Sequence, residues 1–341
     1  MLQMMSGFKF EKWCHAMLLA CVALAAGCSG GPSGPYSVIT GFPAEKAPES
    51  VPEHRLDDNI GVYDISMVGD YILAAEKRTG HFYTLYDREL NRICGFANKG
   101  RGPGEYLAPA YYGEYEITDG GNPVLSVYDR ALFRYDKIRI DCHEGKAHIV
   151  SSTALPSDSP LEIRFLRRSA DGYAGVLDVE DCRFFTSDDT FTGVTCHDPV
   201  FPFPDKMSAH ETAQTVSCMD SDRGRIASAY YYFPQIDIRS VDGSPVKSVF
   251  IGEIVKPEDV SPDTASDCFL KIESAGDRIY ALYEDPSQPG YSSILVFDWD
   301  GNPAERYRIG RAVSFTVDTA GKRILALNEN QDVSICSVYA L

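Results

Sequence analysis

The sequence contains no run of basic residues and sets 32 Lys and Arg against 49 Asp and Glu, for a net charge of −17. Nucleic acids and anionic lipid surfaces are gripped chiefly by Lys and Arg, so a chain this acidic is excluded as a nucleic-acid binder. No Cys-x-x-Cys occurs among its 10 cysteines, which leaves a zinc ribbon or a thioredoxin-type redox site unsupported. Gly-x-Ser-x-Gly and His-Glu-x-x-His are missing too, and with them the local signatures of α/β-hydrolases and zincin peptidases. No segment carries a long apolar stripe of helical period between caps, so helices are minor.

The longest apolar stretch, AMLLACVALAAG at 16–27, follows Lys9 and Lys12. It falls short of the roughly 20 apolar residues that a membrane span needs and reads as a targeting segment. It ends in LAAGC, Leu24 to Cys28, which resembles the lipobox of bacterial lipoproteins. That resemblance implies cleavage before Cys28, lipidation of its thiol and durable attachment to a membrane surface. The plainer alternative is ordinary signal-peptide cleavage beside an incidental cysteine. SGGPSGP at 29–35 then suits a flexible tether. The expected organisation is a signal peptide at 1–27, a tether at 28–35 and one folded unit at 36–341.

Within that unit a turn recurs. Glycine in a polar or acidic setting, followed by a short apolar run, appears at Gly69, Gly120, Gly172, Gly224, Gly276 and Gly321, in steps of 51, 52, 52, 52 and 45 residues. Glycine permits the positive φ of tight hairpin turns, and the runs behind it carry the Ile, Val, Leu and Tyr of strands. A second turn, rich in Asp, follows later in each unit: YDREL (86–90), YDKIR (135–139), SDDTF (187–191), SVDGSP (240–245) and DWDGNP (298–303). Each unit therefore holds four antiparallel strands. Six such units predict an all-β fold, a six-bladed β-propeller. The last unit offers only three strands, so an N-terminal strand, YSVITGF at 36–42, is expected to join the last blade and close the ring. Two β-sandwich domains compete with this, but they do not explain a step that runs through the midpoint.

NKGRGPGEY at 98–106 is the segment most easily mistaken for a phosphate loop. It lacks the Lys-Ser/Thr ending, the dinucleotide glycine spacing and any following helix, so it reads as the crossover between two blades. The longer stretch GRGPGEYLAPAYYGEYEITDGGNPVLSVYDRALFRYD, 100–136, resembles an NHL-type repeat. Beside a lipobox it is similar to the six-bladed propeller lipoproteins of the TolB-like/NHL-repeat group of Bacteroides-type bacteria. The detailed match covers the first two blades. It implies a propeller lipoprotein of the cell envelope, anchored in the outer membrane, with periplasmic and surface sides both open.

Candidate ligand-binding residues are Arg101 and Glu105 on the crossover, with Tyr106, Tyr112 and Tyr231 offering flat faces with polar tips for a peptide or a sugar. Cys182 and Cys196 flank a hairpin centred near Asp189 and could lie within disulfide reach; free buried thiols are the alternative. CHEGKAH (142–148) and TCHD (195–198) gather Cys, His and Asp, but in turns where polar residues are expected anyway. No cofactor is implied. Ca²⁺ held by Glu105, Glu114 and Glu116 would need side chains that alternate along a strand to converge. The favoured reading is a membrane-anchored, non-catalytic scaffold for a protein, peptide or glycan. The alternative is a metal-assisted hydrolase or lyase, lactonase-like, with its site in the propeller channel.

Overall fold

The computed structural model describes residues 35–341 except 57–60, 156–162, 180–181, 198–212, 257–258, 262–264 and 329–333. The expected signal peptide, Cys28 and all of the expected tether but Pro35 lie outside the described residues. Three short strands come first: β1 (Tyr36–Ile39), β2 (Ala44–Lys46) and β3 (Ser50–Arg55). Blade 1 follows as β4 (Val62–Val68), β5 (Tyr71–Glu76), β6 (His81–Tyr86) and β7 (Arg92–Asn98). Blade 2 is β8 (Pro109–Ile117), β9 (Pro123–Asp129), β10 (Arg134–Asp141) and β11 (Lys146–Ala154). Blade 3 is β12 (Ile163–Ser169), β13 (Gly172–Val179), β14 (Cys182–Ser187) and β15 (Thr195–His197). Blade 4 is β16 (Thr215–Asp220), β17 (Arg225–Tyr230), β18 (Gln235–Ser240) and β19 (Pro245–Ile251). Blade 5 is β20 (Phe269–Ala275), β21 (Arg278–Glu284), β22 (Tyr291–Asp298) and β23 (Pro303–Gly310). Blade 6 contributes β24 (Ala312–Asp318), β25 (Arg323–Asn328) and β26 (Ile335–Ala340). The six sheets are arranged as the expected β-propeller, with β4, β8, β12, β16, β20 and β24 innermost.

Closure does not use the expected strand. β3, not residues 36–42, pairs antiparallel with β26 and completes blade 6, with Tyr339 opposite Ser50 and Ile335 opposite Arg55. β1 instead adds to blade 4, parallel to β19, and β2 adds to blade 5, parallel to β23. YSVITGF was the more apolar candidate, whereas β3 is SVPEHR. An outer strand faces water on its far edge and tolerates proline, so apolarity is a poor guide to it.

Six apolar clusters hold the ring, one at each contact between neighbouring blades. The contact between blades 1 and 2 buries Leu85, Tyr106, Leu125 and Val127; that between 6 and 1 buries Ile65, Ile72, Tyr86, Leu325 and Leu327. The other four are built alike. A blade packed on both faces explains why its middle strands are almost wholly buried: YILAAE in β5 and RIYALYE in β21 each expose only their ends. All six marker glycines sit at the turn between the first two strands of a blade. The expected Asp turn fails in blade 2 alone. YDKIR lies inside β10, where Asp136 is fully buried beneath the Tyr106 hydroxyl, and the turn is formed one strand-length later by Asp141–Lys146.

The hairpin of blade 3 is also shifted. Cys196 opposes Phe185, because the loop between β14 and β15 spans seven residues and bends at Phe191 with φ 58°. Cys196 is disulfide-bonded, and Cys94, Cys142, Cys218, Cys268 and Cys336 are free thiols. The side chain of Cys182, the expected partner, lies outside the described residues.

Candidate binding site

The crossover 98–106 is a closed turn. Gly100 N–H donates to the Tyr106 carbonyl and Tyr106 N–H to Asn98, while Lys99 Nζ clamps the carbonyls of Lys77 and Thr79 at 2.7 and 2.8 Å. Glu105 folds beneath this turn and accepts the Gly102 N–H at 2.6 Å. A Cβ on Gly100 would stand 1.9 Å from that carboxylate, so the glycine is there for close approach. Arg101 is exposed and makes no hydrogen bond or ion pair among the described residues.

Tyr106 is buried between blades 1 and 2, its hydroxyl donating to Asp136 at 2.7 Å with the Arg134 guanidinium 4.8 Å above its ring. Tyr231 donates to Asp267 at 2.8 Å and meets Tyr232 edge-on at 5.0 Å. Removing the Glu105 carboxylate is therefore expected to destabilise the protein by about 1–2 kcal/mol. Arg101→Ala should change stability by less than about 0.5 kcal/mol. Urea unfolding of the two variants checks both values.

A cavity lies where the inner strands of blades 1–4 begin. It encloses about 290 Å³ and is walled by Tyr63, Tyr83, Tyr111 and Tyr112, with Asp64 and Ser66 below and Arg130 and Arg164 on its edge. Of the five residues singled out from sequence, Tyr112 alone lines it. Alternation along β8 sends Tyr111 toward the packing against blade 1 and Tyr112 toward that against blade 3, where its ring lies 5.3 Å from Phe165. A bulge follows at once. Gly113 adopts φ 80°, which a side chain would strain, and Arg167 Nη1 reaches the freed Tyr112 carbonyl at 3.0 Å. The Tyr83 hydroxyl donates to the Pro109 carbonyl at 3.0 Å. Those of Tyr111 and Tyr112 are buried with no partner among the described residues. Burial pushes the Tyr63, Tyr83, Tyr111 and Tyr112 phenols up, with Arg130 pulling Tyr63 and Tyr112 partly back, so all four are neutral donors near pH 7.

Below the cavity, polar side chains cross the channel. Lys271 of β20 reaches past blade 6 to Asp64 of β4 at 2.6 Å, and also meets the Ile65 carbonyl, Ser66 and Ser314. Ser314 donates to the same Asp64 oxygen at 2.6 Å. Glu273, two residues on, accepts from the Val317 N–H at 2.8 Å and the Thr316 hydroxyl at 3.0 Å. Burial, chiefly, raises its pKa to about 7. Both channel carboxylates are thus committed to protein partners. Among the described residues no three His, Cys, Asp or Glu are grouped to hold a metal ion. Glu114 accepts from Tyr135, Ser126 and the Arg168 amide, Glu116 pairs with Lys137, and neither converges with Glu105.

No family model and no curated protein matches this sequence. Solved structures do resemble it. A protein of Bacteroides fragilis thought to be exported superposes with a TM-score of 0.54 at 12% identity, covering 89% of this chain and 100% of its own. A member of the DUF4221 family from Bacteroides vulgatus gives 0.51 at 11% identity, covering 87% and 99%. At such identities the likeness extends to the fold alone.

Proposed function

We propose that the protein is an exported, lipid-anchored propeller of the cell envelope, of the TolB-like/NHL kind, that binds a protein, peptide or glycan ligand at its channel mouth without catalysis. The observation that carries this reading is the cavity at the channel mouth, lined by Tyr63, Asp64, Tyr111, Tyr112, Arg130 and Arg164. A concave site that sets aromatic side chains beside a few charged groups suits a ligand with both apolar and polar surface. Export and anchoring are supported by LAAGC at 24–28 and by the Bacteroides fragilis neighbour thought to be exported. The metal-assisted alternative lacks comparable support, because Asp64 and Glu273 are taken up by Lys271, Ser314, Thr316 and an amide.

Two measurements test the proposal. Cys28→Ser is expected to move the protein from the membrane to the soluble fraction; retention on the membrane would remove the anchor. Envelope glycans and peptides screened by thermal shift should include one that raises the melting temperature, and Tyr63→Ala should weaken that ligand about tenfold through the loss of an exposed ring from the cavity wall. An unchanged affinity would place the ligand elsewhere.

A further inference from the structure

The outer rim of the ring is finished differently from blade to blade. In blades 4 and 5 the fourth strand is itself covered: β1 lies parallel to β19 and β2 parallel to β23. Blade 2 has no such cover. β11 is the last strand of its sheet, and among the described residues no added strand pairs with it. It is also the longest outer strand among the described residues, KAHIVSSTA, without a proline. All of it but Ala147 is exposed, Ile149 at 41% and Val150 at 49%.

Every second residue of such an edge turns its N–H and C=O outward, unmet by the sheet. The end of the ladder shows which ones. Leu155 N–H donates inward to the Phe133 carbonyl at 2.7 Å, and the register runs unshifted from Ala154 opposite Arg134 to Ser152 opposite Asp136. Alternation then points the N–H groups of Ala154 and Ser152 outward. A bulge leaves Val150 with no opposite residue and divides the edge into two regular stretches, 146–149 and 151–154. Each is as long as β1, so the edge still fits the kind of short strand that this fold accepts on blade 4.

The strands already docked show what an outer edge selects. Lys46 of β2 reaches Glu305 of β23 at 3.1 Å, a charge answered across the added pair. On β11 the sign is reversed. Lys146 and His148 stand on one face, with Arg139 of β10 directly opposite His148. Arg139 is exposed and makes no hydrogen bond or ion pair among the described residues. The nearby acids are occupied. Asp141 accepts the amides of His143 and Glu144 at 3.0 and 2.9 Å, and Glu116 holds Lys137 at 2.6 Å. Glu144 meets Lys146 at 3.1 Å in an exposed pair, which is weak and easily exchanged. On the opposite face of β11, Ile149 offers an apolar contact. A second copy of the chain is the poorer occupant, because two molecules of net charge −17 repel one another.

We propose that β11 receives an extended segment of a partner protein, running parallel to it as a fifth strand of blade 2, with a carboxylate side chain beside His148 and an aliphatic one beside Ile149. No residue of β11 lines the cavity at the channel mouth, so the loss of either site leaves the other standing. Calorimetric titration of the full-length protein tests it, with an acetylated nine-residue peptide of Val and Thr carrying Glu at its third position. The same peptide with Lys in place of Glu is the comparison. The Glu peptide should bind about fivefold more tightly, the worth of one cross-strand charge pair, and His148→Glu should invert that order. Ser152→Pro removes one outward N–H without touching the ladder to β10, and should weaken the Glu peptide about tenfold. Both residues are exposed, so both variants should melt with the wild type. If Ser152→Pro melts early, the inversion by His148→Glu decides alone. An affinity that a folded Ser152→Pro leaves unchanged would overturn strand addition. Equal binding of the two peptides would overturn the carboxylate. Binding of neither would overturn the inference, and a wild-type dimer that Ser152→Pro dissociates would give the edge to a second copy instead.

Discussion

Asp129→Ala is expected to lower unfolding free energy by about 4 kcal/mol, among the largest effects for any single polar side chain in the ring. Asp129 ends β9 and is fully buried. Its carboxylate accepts four backbone N–H groups: Leu107 at 2.7 Å and Ala108 at 3.2 Å from the blade 1–2 crossover, and Ala131 at 2.9 Å and Leu132 at 3.0 Å from the turn into β10. One side chain thus ties two loops that also meet through the Arg130 N–H, which donates to the Ala108 carbonyl at 3.1 Å. Alanine would leave all four donors without an acceptor, and each buried orphan costs about 1–3 kcal/mol before relaxation. Chemical denaturation followed by far-ultraviolet circular dichroism gives the number. Asn in the same place keeps one acceptor oxygen and should recover part of the loss. A cost below about 1 kcal/mol would show that the two loops hold themselves.

Glu273→Gln should stabilise the protein in alkaline solution and leave it unchanged in acid. The buried carboxyl of the native protein keeps its proton up to about pH 7, whereas in the unfolded chain it ionises near pH 4.3. Its neighbours are Lys271 on its own strand and Asp64, Cys218 and Tyr111 on other inner strands. Between those two values the native state binds more proton than the unfolded state, so stability falls as pH rises across that window. The favourable share is complete below the lower value and gone above the upper one. A shift of this size corresponds to about 4 kcal/mol at pH 8. Glutamine cannot ionise but can still accept from Val317 and Thr316. Urea midpoints of the two proteins should therefore coincide at pH 4 and separate by pH 8, with the variant the more stable. Parallel curves would mean that Lys271 holds Glu273 ionised throughout.

The repeat was legible because a hairpin turn is a local constraint, met by a few residues whatever the rest of the chain does. Six glycines in register revealed six blades before any contact was known. The closing strand was not legible, because an outer edge makes few demands on its side chains and SVPEHR carries no strand-like pattern. In blade 2 the tyrosine–aspartate pair at 135–136 looks like the one at 86–87, and both tyrosines are buried, yet Asp136 is buried with its tyrosine whereas Asp87 opens a turn. Burial of the aspartate separates them.

The binding residues follow the same division. Glu105 and Tyr106 stood out beside three glycines, and the structure engages both in holding the crossover. Tyr63, Arg130 and Arg164 passed unnoticed, since they are spread over about a hundred residues of the chain and meet only when the inner strands converge. The one local hint was the doubled tyrosine at 111–112 before Gly113. Strand alternation there sends two consecutive rings to opposite blade contacts, and a bulge follows.

The arrangement of the first twenty described residues has a topological consequence. The strand that seals the ring begins only at Ser50, while β1 and β2 lie outside blades that already possess four strands of their own. Entry to the fold and completion of its circle are thus separate events, two blades apart. Residues 36–46 thus brace the outer rim of blades 4 and 5, and among the described residues blades 1 to 3 carry no such added strand.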